Sequence, residues 1–229
     1  MPLPPASDVL TALGTNPWFA ALPAEVQAML AEGGRLVSLA QGQWLYSEGD
    51  DASGLCAVIS GCLRLIVSVG SERDVLFDIV GPGQIVGHSA GFGVGPRLAT
   101  VRAGARSTVL TIPDAQLKAA AIAYPVLSRA MAELLYAGLS YALLIAAGAL
   151  CLPPRGKVAG RLVLLSDSRL VVEQGLIRIT QGDLAEMTGL SRKSVHGHLQ
   201  ALQRKGILAV TYGGVRILDL PRLRALVER

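Results

Sequence analysis

A long uncharged segment restricts the fold of this chain more than any other feature. Residues 134–152 contain no charged side chain, and Pro153 and Pro154 follow directly. Proline lacks a backbone donor and disfavours helix in the residue before it, so a helix that begins near Pro125 must end at this pair. We therefore expect three parts, residues 1–124, 125–152 and 153–229.

The uncharged helix has two interpretations. A segment this long and apolar is typical of a transmembrane helix. It is also typical of a helix that a partner helix and flanking domains bury on every side. A membrane span would place the parts before and after it on opposite sides of the bilayer, and residues 1–5 lack the basic start and apolar core of a signal peptide. The sequence favours a cytoplasmic homodimer joined by this helix, without membrane insertion.

The part before the helix contains two segments with different sequence patterns. Residues 1–40 are predicted to form short helices, with Pro17 and Pro23 at their boundaries. From about residue 41 to residue 113, glycine recurs every few residues between short apolar runs. Three of these runs are residues 55–59, 63–67 and 75–79. Many short strands joined by glycine turns predict an all-β roll or barrel.

Charge is unevenly divided between the two ends of the chain. Residues 1–149 contain 8 Lys and Arg against 11 Asp and Glu, whereas residues 150–229 contain 13 against 6. The C-terminal third therefore carries the basic character, which indicates an anionic partner for that part alone.

Several classes of protein fit the sequence poorly. Cys56, Cys62 and Cys151 are widely spaced and form no CxxC pair, so we expect three small buried side chains rather than disulfides or a metal site. The chain has only 3 histidines and shows no nucleophile elbow, P-loop or paired-carboxylate motif. We therefore do not expect an enzyme.

Residues 180–207 carry the strongest functional pattern. Thr180 with Asp183 three residues later predicts a helix cap, and Gly189 ends that helix where a positive φ is needed. Ser191 caps a second helix. Two helices joined by a glycine-bearing turn predict a helix-turn-helix, whose second helix can enter the major groove of double-stranded DNA.

The second helix presents polar side chains opposite its apolar face. Arg192 and Lys193 lie in its first turn, where they can reach guanine edges, and Ser191 and Ser194 suit phosphates. The same outer face holds His196, Gly197 and Gln200, with Thr180 at the start of the preceding helix. Residues 206–217 then predict a hairpin with a Gly213-Gly214 turn, the wing of a winged helix. The same helical spacing also occurs in domains that bind no DNA, which leaves an effector-binding dimer without specific DNA recognition as an alternative.

With these motifs the chain resembles the catabolite activator and fumarate–nitrate regulator (CRP/FNR) superfamily over about residues 15–218. The matching segments are residues 42–50, 55–61, 81–87, 96–103, 155–159 and the helix-turn-helix. The resemblance implies an α+β fold with an N-terminal cyclic-nucleotide-binding-type β-roll, a long dimerisation helix and a C-terminal winged helix-turn-helix. It also implies RNA polymerase as a partner.

The resemblance places an effector pocket in the roll, with contacts that suit cAMP poorly. Its candidate residues are Gly87, His88, Arg97, Leu98, Ala142 and Leu143. Arg97 matches the phosphate-binding arginine of cAMP-binding members. Leu98 replaces a small or hydroxyl residue, His88 replaces the glutamate that holds the ribose, and Ala142 with Leu143 replaces the polar pair that reads adenine. Each unpaired polar group would cost about 1–3 kcal/mol, so we do not expect cAMP as the ligand, and the effector is unknown.

Haem is an alternative cofactor that the resemblance suggests. The CO-sensing branch of the superfamily uses a histidine followed by serine in this part of the roll and the N-terminal proline of the partner subunit. His88-Ser89 and Met1-Pro2 are similar to that arrangement, with a register shifted by one residue. A haem-dependent gas sensor of the same architecture is therefore a second hypothesis.

The recognition helix also departs from the pattern of the catabolite activator. That pattern has Arg-Glu and a later Arg, where this chain has Arg192-Lys193 and Gly197. Loss of the acidic residue removes an acceptor for cytosine. We therefore expect an inverted-repeat operator whose half-site differs from that of the activator.

Overall fold

The computed structural model describes residues 6–51, 54–70, 73–89, 95–167, 171–172 and 175–227. The chain forms two compact units, Met1–Leu139 and Ser140–Arg229. The division falls inside a single long helix, α5, which is described below.

The N-terminal unit begins with three short helices, as predicted for this region. They are α1 (Ala6–Gly14), α2 (Pro17–Ala20) and α3 (Ala24–Glu32). Asn16 begins α2 because its side chain accepts a hydrogen bond from the Trp18 backbone N–H at 3.0 Å, with Pro17 at the first helical position. The indole Nε1–H of Trp18 donates to the Ala130 carbonyl at 2.5 Å, which ties α2 to α5.

The prediction of helix up to residue 40 is wrong at its end. Residues Arg35–Leu39 form strand β1, which pairs antiparallel with β8 (Ser107–Ile112). Leu36 lies opposite Leu110, a residue far away in the sequence. Gly33 and Gly34 break the helix locally, but only the distant partner strand makes β1 a strand.

The remaining strands complete a roll of two four-stranded sheets. They are β2 (Trp44–Tyr46), β3 (Leu55–Ser60), β4 (Leu63–Val69), β5 (Arg73–Val80), β6 (Ile85–Val86) and β7 (Thr100–Ala103). The sheet orders are β1-β8-β3-β6 and β2-β7-β4-β5. The three apolar runs of the sequence are confirmed as β3, β4 and β5.

The sheet that contains β3 and β8 is covered on both faces, so nearly every residue of these two strands is buried. One face packs against the second sheet in a core that includes Val58, Leu63 and Val109. The other face packs against the helices through residues such as Phe19 and Leu127. Helices α4 (Asp114–Ala123) and α5 (Val126–Cys151) follow the roll, and α4 was not predicted.

The C-terminal unit is a winged helical domain that follows the predicted break. Helix α5 ends at Cys151, and α6 (Pro154–Asp167) begins at Pro154 because proline suits a first helical position. The later elements are β9 (Val171–Val172), β10 (Leu176–Ile177), α7 (Gln181–Thr188), α8 (Arg192–Arg204), β11 (Leu208–Thr211), β12 (Gly214–Ile217) and α9 (Leu220–Arg224). Their strands form a sheet of order β11-β12-β10-β9.

The cysteines differ from the expectation in one case. Cys56 is buried and Cys62 half-buried, but Cys151, at the end of α5, is exposed, and all three are free thiols. Among the described residues, no group of three or more His, Cys, Asp or Glu side chains is placed to hold a metal ion.

Candidate nucleic-acid interface and effector pocket

The first helix of the predicted pair, α7, starts with a complete capping box. Thr180 Oγ1 accepts a hydrogen bond from the Asp183 N–H at 3.0 Å, and the Asp183 carboxylate accepts one from the Thr180 N–H at 3.1 Å. Two backbone donors at the helix start are thereby satisfied. Gly189 ends α7 with φ of 66°, as its position in the sequence predicted.

The second helix, α8, is held by its own cap and by an apolar face. The Ser191 hydroxyl accepts a hydrogen bond from the Ser194 N–H at 3.1 Å. Val195, Leu199 and Leu202, at positions i, i+4 and i+7, are buried. The helix-turn-helix predicted from the sequence is confirmed in its caps, its turn and its core residues.

The opposite face of α8 is open to solvent along most of its length. Arg192, Lys193, His196 and Gly197 are exposed, whereas Ser194 is half-buried. The first turn therefore places two cations at a helix N-terminus, a combination that favours an anionic partner.

Two contacts extend the exposed face onto the start of α7. His196 Nδ1 lies 3.2 Å from Gln181 Oε1. The Arg192 guanidinium lies over Gly182, where an added Cβ would be 3.1 Å from Nη2. Gln181 was not predicted as part of the interface. Gly182 could have indicated from the sequence that the start of α7 lies close to α8, because glycine within a helix often marks a close approach of another group.

The predicted wing is present, with a turn shifted by one residue. Thr211 pairs with Gly214, so the two-residue turn is Tyr212-Gly213 rather than Gly213-Gly214. Gly213 supplies the positive φ of 74°. Gly214 is instead the first residue of β12, where a Cβ would lie 2.5 Å from the Ile177 carbonyl oxygen of β10. Packing between strands therefore explains why residue 214 is glycine. Tyr212 is fully exposed in the turn of the wing.

In the N-terminal unit, Arg97 is a buried cation with defined partners. Its side chain is 1% exposed, its guanidinium carbon lies 4.2 Å from the centroid of the Tyr46 ring, and Nη1 donates to the Gly87 carbonyl at 3.1 Å. A Cβ at Gly87 would lie 2.2 Å from that Nη1 atom, so Gly87 makes room for the arginine. Burial raises the pKa of Tyr46 and raises the pKa of Cys56 to about 11, which keeps both groups neutral beside the cation.

His88 lies one residue after Gly87 and packs against α5. A Cβ at Gly138 would lie 2.5 Å from His88 Nε2, so the imidazole lies close to the helix backbone. Burial lowers the pKa of His88, which favours the neutral imidazole. Leu98 is 63% exposed, so its side chain does not join Arg97 in the buried cluster.

The last two candidate pocket residues lie on α5 in the C-terminal unit. Leu143 is 61% exposed and Ala142 is half-buried. Met1 and Pro2, which the haem hypothesis invokes, lie outside the described residues.

A two-sheet roll, a long helix and a winged helix-turn-helix with an exposed basic recognition helix define a class of regulatory DNA-binding protein. Comparison with known families agrees with this class. Residues 36–124 match the model of the cyclic nucleotide-binding domain, and residues 156–226 match the Crp-like helix-turn-helix domain. The chain belongs to the CRP/FNR superfamily of transcription regulators, a family of regulators rather than enzymes.

Individual relatives are similar over most of the chain. The CRP-like cAMP-activated global transcriptional regulator of Mycobacterium tuberculosis is 24% identical over 191 residues, which cover 82% of this chain and 85% of the relative. The structure of FixK2 from Bradyrhizobium japonicum matches with a TM-score of 0.75 at 20% identity, covering 84% of this chain and 96% of that one. A mutant of CooA from Carboxydothermus hydrogenoformans matches with a TM-score of 0.67 at 22% identity, covering 86% and 88%. At these identities the structures show the shared fold.

Proposed function

We propose that this protein is a cytoplasmic, homodimeric transcription regulator that binds an inverted-repeat DNA operator through α8. The observation that carries the proposal is the exposed first turn of α8, where Arg192 and Lys193 follow the Ser191 cap. A recognition helix contacts base edges with its N-terminal residues, and a guanidinium can pair with the O6 and N7 atoms of guanine.

The neighbouring polar groups suit a supporting role at the same surface. Ser191, Ser194 and Thr180 are short hydroxyl side chains near helix N-termini, a setting suited to phosphate contacts. His196 is exposed and adjoins Gln181, so the two side chains can act together on one base or phosphate. Gly197 leaves space for close approach. The basic excess of residues 150–229 adds long-range attraction for DNA.

Dimerisation is supported by a regular apolar stripe on α5. We define the seam as Tyr136, Leu139, Leu143, Ala146 and Leu150, all of them exposed in the single chain. The spacing alternates between three and four residues, which is the heptad pattern of a two-stranded coiled coil. A two-fold dimer through this seam would present two α8 helices, and hence a symmetric operator.

A membrane span is the alternative use of α5. By length and composition α5 could cross a bilayer, and its most apolar window is unburied in the single chain. However, a span over the uncharged residues 134–152 would place the roll and the helix-turn-helix on opposite sides of the bilayer. The heptad spacing of the exposed apolar residues is also the pattern of a coiled-coil seam, so a dimer accounts better for the exposed stripe.

The effector site is proposed to be atypical for the family. The Arg97 guanidinium is covered by the Tyr46 ring and bonded to Gly87, and Leu98 faces solvent. His88 provides no carboxylate for a ribose. These features support a regulator that responds to a ligand other than cAMP, or to none. RNA polymerase is proposed as a partner on the family resemblance alone.

The haem hypothesis depends on His88 alone among the described residues. Burial keeps the imidazole neutral, the form that binds iron, but Nε2 lies against the backbone at Gly138. Iron at Nε2 would collide with α5 unless the ring turned, so the present geometry does not fit haem. An absorption spectrum of freshly purified protein tests the point, because a Soret band lost in His88→Ala would support haem.

The DNA-binding proposal is tested by a matched pair of double variants. Arg192→Ala with Lys193→Ala removes two cations from the first turn of α8, and Arg204→Ala with Lys205→Ala removes two from its exposed end. A base-reading arginine contributes about 1–3 kcal/mol, so loss of Arg192 alone should weaken binding of a selected operator roughly five- to 150-fold. The second should retain the wild-type site preference.

The measurement is a gel-shift competition with the operator selected by the wild type from random DNA. If the Arg192 and Lys193 variant still selected the same site with wild-type affinity, the assignment of the reading residues would be wrong. Calorimetry with cAMP should show no binding, and micromolar affinity would contradict the proposed effector pocket.

A further inference from the structure

We propose that the C-terminal unit holds a second ligand site, which takes a single-chain amphiphilic carboxylate. The site is a cavity of about 450 Å³ between the last turns of α5, helix α6, the end of α7 and the residues around the end of α9. All of its lining residues lie within Ser140–Arg229, the unit that contains the helix-turn-helix. It is therefore built from different residues than the Arg97 cluster.

The cavity has apolar walls, in which Leu152 packs against two glycines. Leu152 lies at the junction of α5 and α6, and its Cδ1 atom faces both helices. A Cβ at Gly148 would meet only this atom, at 3.5 Å, and a Cβ at Gly160 would lie 3.3 Å from it. Aliphatic side chains supply most of the remaining lining. A well-formed apolar cavity of a few hundred Å³ with a few polar groups has the character of a small-molecule site.

The charged groups at the cavity all have one sign. Lys157, Arg161 and Arg224 line it, and among its described lining residues none is acidic. Arg161 is 4% exposed, with its Nε–H donating to Met187 Sδ at 3.3 Å and its guanidinium carbon 5.9 Å from the centroid of the Tyr141 ring. Cations at an apolar cavity favour a ligand with an apolar body and an anionic head, and a carboxylate matches a guanidinium in shape.

A second copy of the chain would not fill this cavity. The α5 residues Ile145 and Gly148 line it, whereas the seam of the proposed dimer contains Leu143 and Leu150. At 100° per residue, these two pairs lie on nearly opposite sides of the helix, and the lining residue Ala147 borders the seam. Most of the cavity would therefore remain open when two α5 helices associate.

The volume of the cavity guides the choice of probe. A volume of about 30 Å³ for each water-sized group allows roughly fifteen non-hydrogen atoms in the cavity. Dodecanoate, a saturated carboxylate of twelve carbons, has this size. It is a suitable probe below its micelle concentration.

The position of the cavity links it to DNA recognition. Met187 and Thr188, in the last turn of α7, line it and immediately precede the Gly189 turn that leads into α8. A bound carboxylate would brace the end of α7 against α5 and α6 and so alter the binding of DNA by α8. This regulatory consequence rests on the proposed function, whereas ligand binding itself does not.

The site is tested by NMR on the full chain, labelled with ¹³C at its methionine methyl groups. Met187 is one of the 4 methionines. Dodecanoate should shift the Met187 signal saturably, with the signal assigned from Met187→Leu. Butyrate and dodecyltrimethylammonium should each bind at least about tenfold more weakly, since one lacks the apolar body and the other the anionic head. Absence of a saturable Met187 shift, or equal binding of the cationic amphiphile, would overturn the site.

A charge variant of the cavity is compared with a control variant on α9. Lys157→Met with Arg224→Gln removes cations that line the cavity and should weaken dodecanoate at least about tenfold. Arg222→Gln changes a nearby arginine that pairs with Asp219 outside the cavity and should leave the affinity unchanged. Circular dichroism checks that each variant is folded, and wild-type affinity in the double variant would overturn the role of the cations.

Operator affinity, measured with and without dodecanoate, tests the regulatory consequence. We expect at least about a threefold change in the wild type and none in the Lys157 and Arg224 variant. No change in the wild type would overturn that consequence. If the protein showed saturable Met187 shifts but bound no operator, the ligand site would be supported and the proposed function contradicted. If it bound the operator without those shifts, the proposed function would be supported and the ligand site contradicted.

Discussion

Replacing Leu143 by alanine tests whether α5 joins two copies of the chain. Leu143 lies at the middle of the seam and is 61% exposed in the single chain, so most of its side chain is available to a partner helix. Full burial of a leucine side chain contributes about 1.5–3 kcal/mol, and burial of the exposed part therefore contributes about 1–2 kcal/mol.

Two-fold symmetry doubles this effect, because each dimer contains two copies of Leu143. The variant should lose about 2–4 kcal/mol of association free energy. Each 1.4 kcal/mol is tenfold in an equilibrium constant, so the dimer dissociation constant should rise roughly 30- to 700-fold. The cavity left at a coiled-coil seam adds to this loss, which places the expected value toward the upper end.

Sedimentation equilibrium over a range of protein concentrations measures the dissociation constant directly. The control is Ile122→Ala, which removes an exposed apolar side chain from α4, outside the seam. The control should keep the wild-type constant. A Leu143→Ala protein with an unchanged constant, or an equal effect of the control, would refute the assignment of the seam.

Three further predictions concern folding. Thr180→Ala should destabilise the C-terminal unit by about 1 kcal/mol through loss of the helix cap, with recovery in Thr180→Ser, as measured by thermal denaturation. Gly87→Ala should cost more than Gly70→Ala, since both glycines have positive φ but only the Cβ at Gly87 would meet Arg97, and equal costs in denaturant titrations would contradict that crowding. Burial lowers the pKa of His88 below its ordinary value of 6.5. As the pH falls, this histidine is therefore protonated at a higher pH in the unfolded chain than in the folded chain. Stability should therefore fall as the pH decreases through this range, and His88→Gln should show a shallower loss between about pH 7.5 and 5.5 in urea titrations.

Features with local causes were predictable from the sequence. Pro153 and Pro154 ended α5 because proline acts on its own helix and on the residue before it. Thr180, Gly189 and Ser191 marked the helix-turn-helix, since caps and positive-φ turns depend on side chains within three residues. The apolar spacing of Val195, Leu199 and Leu202 then determined which face of α8 is buried and which is free for DNA.

Features that depend on distant neighbours were decided only by tertiary structure. Strand β1 forms because Leu36 meets Leu110 across the sheet, and the wing turn falls on Tyr212 because β12 must pack its glycine against β10. The same holds for the guanidinium of Arg97, whose burial against Tyr46 is a contact between separate strands and not a property of its own segment. Local patterns specify caps, breaks and helix faces, whereas pairing partners and cavities arise from contacts that the order of residues does not display.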